Sequence, residues 1–117
     1  MLWGCIAADG LKQCFVFEKG LINREVYRSQ IVPLISSIAQ QHTEDSLFQQ
    51  PAVVMQDNAS IHKVIATLQL FRQLNLDLMC WPANSPDFNP TKNIWSLLKH
   101  WIGKHFPTTC EAVKAAI

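Results

Sequence analysis

The order of apolar and polar positions along the chain predicts an alternation of short strands and amphipathic helices. Two β-prone runs, residues 2–6 and 14–17, are rich in aromatic and branched side chains. They flank a turn signal that contains Asp9 and Gly10. This arrangement predicts a β-hairpin with Asp9 and Gly10 near its tip.

The next segment predicts a helix over residues 24–40, with Asn23 as its N-terminal cap. Pro33 lies inside this segment and has no backbone N–H, so a kink or a break is expected there. Residues 40–50 are polar and predict a loop. The apolar positions of the helix recur at helical spacing and predict one buried face: Tyr27, Ile31, Leu34, Ile35 and Ile38.

Residues 53–55 are evenly apolar, which predicts a short strand buried on both faces of its sheet. Asp57 follows at the C-terminal end of this strand, where open α/β sheets place ligand sites. A helix through residue 74 is predicted next, capped by Asn58 or Ser60, and residues 76–80 predict another strand. The expected apolar stripe of that helix is Ile61, Val64, Ile65, Leu68 and Phe71.

The last third of the chain begins with a proline-punctuated turn over residues 82–90. An amphipathic helix is predicted over Thr91–His105 and a further helix from residue 111 to 117. The helix from Thr91 is expected to bury Ile94, Trp95, Leu98, Trp101 and Ile102, and to expose Lys92, Ser96, Lys99 and Lys104.

Composition narrows the class of protein. The 117 residues suffice for one domain, and 49% hydrophobic against 16% charged residues is typical of a globular core-forming chain. The formal net charge of +1 favours no partner, although Lys92, Lys99 and Lys104 form a locally basic stretch. No apolar run approaches the roughly 18 residues of a membrane span, and the cysteine spacing lacks the pairs of a zinc site.

Two linked motifs carry the most specific signal. Matching positions are Gln56, Asp57, Asn58, Ala59 and His62 in the first, and Trp81, Pro82, Ser85, Pro86, Asp87, Asn89, Pro90, Asn93 and Trp95 in the second. They resemble the QDNAPxH and WPxxSPDxNPIENxW patterns of Tc1/mariner-like transposases, which are DDE superfamily endonucleases. Thirty-four residues separate Asp57 from position 92, the interval between the second and third carboxylates of that family.

The resemblance implies an α/β, RNase H-like fold, a mixed sheet with flanking helices. The hairpin would supply the second and third strands, so the first strand is expected to be missing. Residues 1–117 are therefore interpreted as a partial DDE transposase catalytic domain, truncated at the N-terminus.

The resemblance also implies the chemistry. The family cuts and joins DNA with two divalent cations, Mg²⁺ or Mn²⁺, held by three carboxylates. Asp57 matches the second carboxylate and is the expected metal ligand, whereas the third position is Lys92. An ammonium cannot ligate a cation, so we expect no high-affinity binding and no catalysis by this chain alone.

Several candidate residues have a second interpretation. Asp57 can instead cap the helix that follows it, and Asp87 lies in a turn motif that needs polar side chains. His62 can contact phosphate or lie on a helix surface. Lys92, Lys99 and Lys104 can bind nucleic acid or form a solvated helix face, and the tryptophans can stack on bases or pack in a core.

The sequence is therefore interpreted as part of a transposase catalytic domain whose parent activity is DNA strand cleavage and transfer. The alternative is a non-catalytic module for nucleic-acid binding or assembly, derived from a transposon. The expected partners are transposon-end DNA and a second copy or a complete transposase, with no membrane. The expected location is the nucleus.

Overall fold

A computed structural model of the chain describes residues 2–7, 10–16, 21–45, 50–105 and 108–115. The chain divides into two compact units, Ile22–Asn84 and Met1–Leu21 with Ser85–Ile117. Helices and both kinds of strand pair occur, which confirms the α/β class. Among the described residues, no helix is both long and apolar enough to cross a membrane.

The unit formed by Met1–Leu21 and Ser85–Ile117 contains the predicted hairpin. Strand β1 (Leu2–Ala7) pairs antiparallel with β2 (Gly10–Val16), from Leu2 opposite Val16 to Ala7 opposite Gly10. A register shift between Cys5 and Ile6 marks a β-bulge. The predicted tip residue Asp9 lies outside the described residues, while Gly10 begins β2 with a φ of 121°, a conformation that favours glycine.

The same unit contains helices α4 (Thr91–His105) and α5 (Cys110–Ala115). The bounds predicted for α4 are confirmed, as is the predicted exposure of Lys92, Ser96, Lys99 and Lys104. The burial predicted for the opposite face is wrong in degree: Ile94 is exposed, and Trp95, Leu98, Trp101 and Ile102 are only partly buried. The helix has no buried residue, and Ile94 and Leu97 are 45% and 67% exposed. Amphipathic spacing indicates which face of a helix can be covered, and it does not determine how completely packing covers it. In the last turn, the ring of His105 stacks on Trp101.

The Ile22–Asn84 unit begins with a long helical segment in three parts. Helix α1 (Arg24–Val26) passes into a π-helical turn (Tyr27–Ile31) and then into α2 (Val32–Asp45). The cap is confirmed, because Asn23 Oδ1 accepts hydrogen bonds from the backbone N–H groups of Glu25 and Val26.

Of the kink or break predicted at Pro33, the break does not occur, because α2 continues through that residue. The loop predicted from residue 40 is wrong for residues 40–45, which are the end of α2. Val32 N–H donates to Tyr27 O in the wider π pattern just before the proline. A π turn changes the hydrogen-bond pattern at the place where proline removes a donor, so it accommodates Pro33. Residues 46–49 of the predicted loop lie outside the described part of the chain.

The core of this unit lies along the π turn and α2. Buried apolar side chains are Tyr27, Ile31, Val32, Ile35, Ala39 and Phe71, joined by buried Ser36 and Thr67. The predicted Leu34 and Ile38 are only partly buried. The π turn has a different residue period from an α-helix, so the buried stripe shifts toward Val32 and Ser36.

The rest of the unit is a strand, helix, strand segment. Strands β3 (Val53–Val54) and β4 (Asp77–Leu78) are parallel and are joined through α3 (Ile65–Gln73). The prediction of a fully buried strand is wrong, since Val53 is 51% exposed. The prediction that a helix starts at residue 58 or 60 is also wrong, because residues 60–62 form a turn and α3 begins at Ile65, which is 73% exposed.

Candidate functional site

Asp57 lies just past the end of β3, and its carboxylate is held by groups that follow it in sequence. Its Oδ1 accepts a hydrogen bond from the backbone N–H of Ala59 at 3.1 Å. The same oxygen lies 3.0 Å from Nδ1 of His62. With α3 beginning only at Ile65, the carboxylate supports a local turn and does not cap that helix.

His62 faces away from solvent toward the rest of the unit. Its Nδ1 is also 3.0 Å from the backbone oxygen of Asp57, and its side chain is 16% exposed. The ring centroid lies 4.8 Å from that of Tyr27, with a 43° angle between the planes. The predicted surface position of His62 is therefore wrong: the residue packs on a buried tyrosine.

Asn58 connects the ends of the two parallel strands. Its Nδ2 donates to the backbone oxygens of Trp81 and Pro82, each at 3.3 Å. Met79 N–H donates to Val54 O, which extends the strand pairing in the same direction. Parallel strands end at one edge of a sheet. The first motif and the beginning of the second therefore meet at this edge.

The rest of the second motif lies in the other unit and sets the start of α4. Residues Pro86–Phe88 form a 3-10 turn in which Asp87 is exposed. Asn89 is buried, and its Oδ1 accepts from the backbone N–H and hydroxyl of Thr91 at 3.0 and 2.6 Å. Such a side chain satisfies donors at a helix N-terminus.

Lys92, in the first turn of α4, is exposed, as are Lys99 and Lys104. At 100° per residue, Lys92 and Lys99 lie on one stripe of the helix, and Lys104 lies well away from it. Lys104 is in the last turn, where a positive charge is favourable with respect to the helix dipole. The structure brings Asp57 and His62 together, whereas the three lysines belong to the other unit.

A family model described as DDE superfamily endonuclease matches residues 3–114. The chain belongs to the DDE superfamily endonucleases. This DDE chain is 30% identical over 112 residues to the transposable element Tc3 transposase of Caenorhabditis elegans, covering 92% of the chain and 32% of that protein.

Two further relatives are also transposases of transposable elements. The Tcb2 transposase of Caenorhabditis briggsae is 27% identical, with 81% of the chain and 33% of that protein covered. The Tc1 transposase of Caenorhabditis elegans is 24% identical, with 88% of the chain and 36% of that protein covered. The DDE chain thus spans about a third of the length of the curated relatives it matches.

DDE superfamily endonucleases generally use divalent metal ions. Within the described residues, no group of three or more His, Cys, Asp or Glu side chains is arranged to hold a metal ion. At Asp57, one carboxylate oxygen already binds Ala59 and His62. A pair of cations needs several oxygen ligands, so the described residues do not by themselves fit a two-cation site.

Sequence reasoning missed Tyr27 as part of the site and gave Gln56 only as a motif match, without a role. The Tyr27 hydroxyl donates to Gln56 Oε1 at 2.6 Å, and its ring packs on His62. The pattern placed Tyr27 on the buried face of a helix, and this prediction is confirmed. An apolar pattern gives no sign of the hydrogen bond that the hydroxyl makes. The available signal was chemical: a tyrosine buried in a core needs a partner for its hydroxyl.

Proposed function

We propose that this chain is part of the catalytic domain of a Tc1/mariner-like DNA transposase, with an RNase H-like fold. The relatives are named as transposases of transposable elements. The observation that carries the proposal is the junction made by Asn58, which joins the first motif to Trp81 and Pro82 where β3 and β4 end. Open α/β sheets bind ligands at such an edge.

In this proposal Asp57 is the second carboxylate of the motif, and it is half exposed at the end of β3. The reaction of the whole protein is strand cleavage and transfer at transposon ends. Divalent cations supply activation of the attacking oxygen and stabilisation of the leaving oxygen in such reactions. Asp57 is the residue of this chain proposed to ligate one.

Lys92 occupies the motif position of the third carboxylate. Two unit charges about 4 Å apart interact by roughly 4 kcal/mol at an effective dielectric of about 20. That energy is about three times the ~1.4 kcal/mol of a tenfold change in affinity. We therefore propose that this chain alone does not catalyse the cation-dependent reaction.

Titration calorimetry of the full chain with MgCl₂ and with MnCl₂ tests this proposal. We expect weak binding by the unchanged chain, stronger binding by Lys92→Glu, and loss of that gain in Lys92→Glu with Asp57→Asn. Lys99→Glu is the matched control, because it makes the same change of charge at an exposed lysine seven residues further along the same stripe of α4. Equal gains for Lys92→Glu and Lys99→Glu would show that position 92 has no special role.

A second candidate function is a non-catalytic module that binds nucleic acid. Lys92 and Lys99 are exposed on one stripe of α4 and can contact phosphates. Each phosphate contact contributes about −0.9 to the slope of log affinity against log salt for duplex DNA. A salt-dependent affinity that needs no divalent cation, and a slope reduced in Lys92→Ala with Lys99→Ala, would favour the module.

The non-catalytic module could instead serve assembly with another protein chain, and the surface for this lies on the same helix, α4. Ile94 and Leu97 of α4 are exposed, and exposed apolar side chains favour association. The proposed partner is a second copy or a complete transposase, and sedimentation of the chain over a concentration series tests for the first. We also propose the nucleus as the location, which microscopy of a fluorescent fusion tests.

A further inference from the structure

His62 lies between the Asp57 carboxylate and the buried ring of Tyr27. Its Nδ1 is 3.0 Å from Asp57 Oδ1 and 3.0 Å from the Asp57 backbone oxygen. Both oxygens are hydrogen-bond acceptors, so the tautomer that fits these two contacts has its proton on Nδ1. In the neutral ring, Nε2 is then the unprotonated nitrogen.

Tyr27 holds this imidazole in place and also holds the start of the same motif. Its ring packs on His62 at a centroid distance of 4.8 Å, and its hydroxyl donates to Gln56 Oε1. Tyr27 is only 2% exposed, so its own position is determined by the core. It is also the first residue of the π turn, and π turns within helices frequently occur at functional sites.

Two nitrogens lie close to one oxygen of the carboxylate. Ala59 N–H donates to Oδ1 of Asp57, and His62 Nδ1, 3.0 Å from the same oxygen, shares its proton between Oδ1 and the Asp57 backbone oxygen. Contacts with two groups of the segment between β3 and α3 restrict the rotation of the side chain about χ1. Among the described residues, Oδ2 is left for a ligand from outside the chain, and the side chain is 46% exposed.

We propose that His62 is a positioning residue: its Nδ1–H orients the Asp57 carboxylate, and Tyr27 orients His62. This inference rests on the proposed role of Asp57 as a motif carboxylate. It gives His62 a task different from the phosphate contact expected from the sequence, because the nitrogen nearest the site is engaged by Asp57. Hydrogen-bonded groups behind a ligand commonly determine its orientation in metal sites.

Two substitutions separate the hydrogen bond from the ring contact. In His62→Asn, the amide Nδ2 takes the place of Nδ1 as a donor, and the ring is lost. In His62→Phe, the ring that packs on Tyr27 is kept, and the donor is lost. A positioning role through Nδ1 predicts that the asparagine variant behaves like the unchanged chain, whereas a packing role predicts this of the phenylalanine variant.

The measurement is the χ1 rotamer distribution of Asp57, obtained by NMR from the three-bond couplings between Hα and the two Hβ atoms. We expect one dominant rotamer in the unchanged chain and in His62→Asn. In His62→Phe, its population is expected to fall toward the roughly one third of three equal staggered wells. Averaging in the unchanged chain, or a dominant rotamer kept only by His62→Phe, would overturn the proposal.

A second measurement uses the unchanged chain and needs no variant to fold. Nitrogen-15 correlation spectra of the imidazole rings, recorded where histidine is neutral, identify the protonated nitrogen of His62. We expect Nδ1–H for His62, and His105 serves as a reference because its Nδ1 also faces a backbone oxygen, that of Trp101. A protonated Nε2 with a bare Nδ1 in His62 would contradict the inference.

Both measurements are made without divalent cations, so they are independent of the proposed metal role. If the Lys92→Glu background binds Mn²⁺, we expect His62→Phe to weaken that binding by about tenfold and His62→Asn to weaken it less. The reverse order would contradict the positioning role. Absence of cation binding together with a fixed Asp57 rotamer would count against the proposed function and would support the positioning of Asp57 by His62.

Discussion

The two units of this chain differ in how they bury their side chains. In the Ile22–Asn84 unit, the first helical segment and α3 supply a set of buried apolar residues that includes Tyr27, Ile31 and Phe71. In the other unit, α4 has no buried residue, and Asn89 is the buried side chain that the described residues provide. The candidate carboxylate thus lies in the unit with a buried apolar core, and the lysine-bearing helix lies in the unit in which no apolar side chain of described burial is buried.

This difference indicates that helices with similar sequence patterns contribute differently to the free energy of unfolding. Both α3 and α4 read as amphipathic helices, but only α3 contributes fully buried side chains, Thr67 and Phe71. Stability of a helix in a protein comes mainly from the packing of its apolar face. We therefore expect the free energy of unfolding to depend strongly on the buried residues of the Ile22–Asn84 unit and weakly on the residues of α4.

Phe71→Ala is expected to have the largest effect. The ring is 0% exposed, and truncation of a buried phenylalanine costs about 3–5 kcal/mol through lost burial and the cavity left behind. Urea unfolding of the full chain, followed by circular dichroism, measures the change. Ile65→Ala in the same helix is the matched control, since Ile65 is 73% exposed, and a comparable loss there would contradict the assigned core.

Tyr27→Phe removes one hydroxyl and keeps the ring contact with His62. We expect a loss of about 1–2 kcal/mol in the free energy of unfolding, because a partly buried acceptor, Gln56 Oε1, loses its donor. The same unfolding measurement applies. Gln56→Leu combined with Tyr27→Phe removes both partners, and we expect the pair to cost less than the sum of the two single changes. Simple additivity would indicate that this bond does not form.

Asn89→Ala removes the side chain that binds Thr91 at the start of α4. Loss of such a cap costs about 1 kcal/mol. Amide hydrogen exchange is the appropriate measurement, because the effect should be confined to the first turns of α4. Asn93→Ala is the control, as Asn93 is exposed and lies inside the helix. Equal loss of protection in both variants would contradict the capping role of Asn89.

Leu97→Ala is expected to have the smallest effect and tests the comparison most directly. Leu97 is 67% exposed on α4, so its truncation should change the free energy of unfolding by less than about 0.5 kcal/mol. A loss of 2 kcal/mol or more, which is typical of a buried leucine, would mean that α4 is covered in solution. Repeating the measurement at several protein concentrations would then show whether a second copy covers it.

Local patterns predicted the elements whose boundaries are set by residues close to those boundaries in sequence. The cap by Asn23, the hairpin and the bounds Thr91–His105 all follow from residues within a few positions. The start of α3 could not be predicted in this way. Asp57 and His62 bind each other across five residues and hold a turn where the apolar spacing indicated a helix.

The sequence by itself determined the family and the position of the candidate carboxylate, because both depend on residue identity and spacing in the two motifs. The tertiary structure alone decided what supports that carboxylate. Tyr27 and Gln56 are 29 residues apart, and the hydrogen bond between them forms only when the first helix packs against the end of β3. It also decided which amphipathic helix is buried, since periodicity defines an apolar face and only packing covers it.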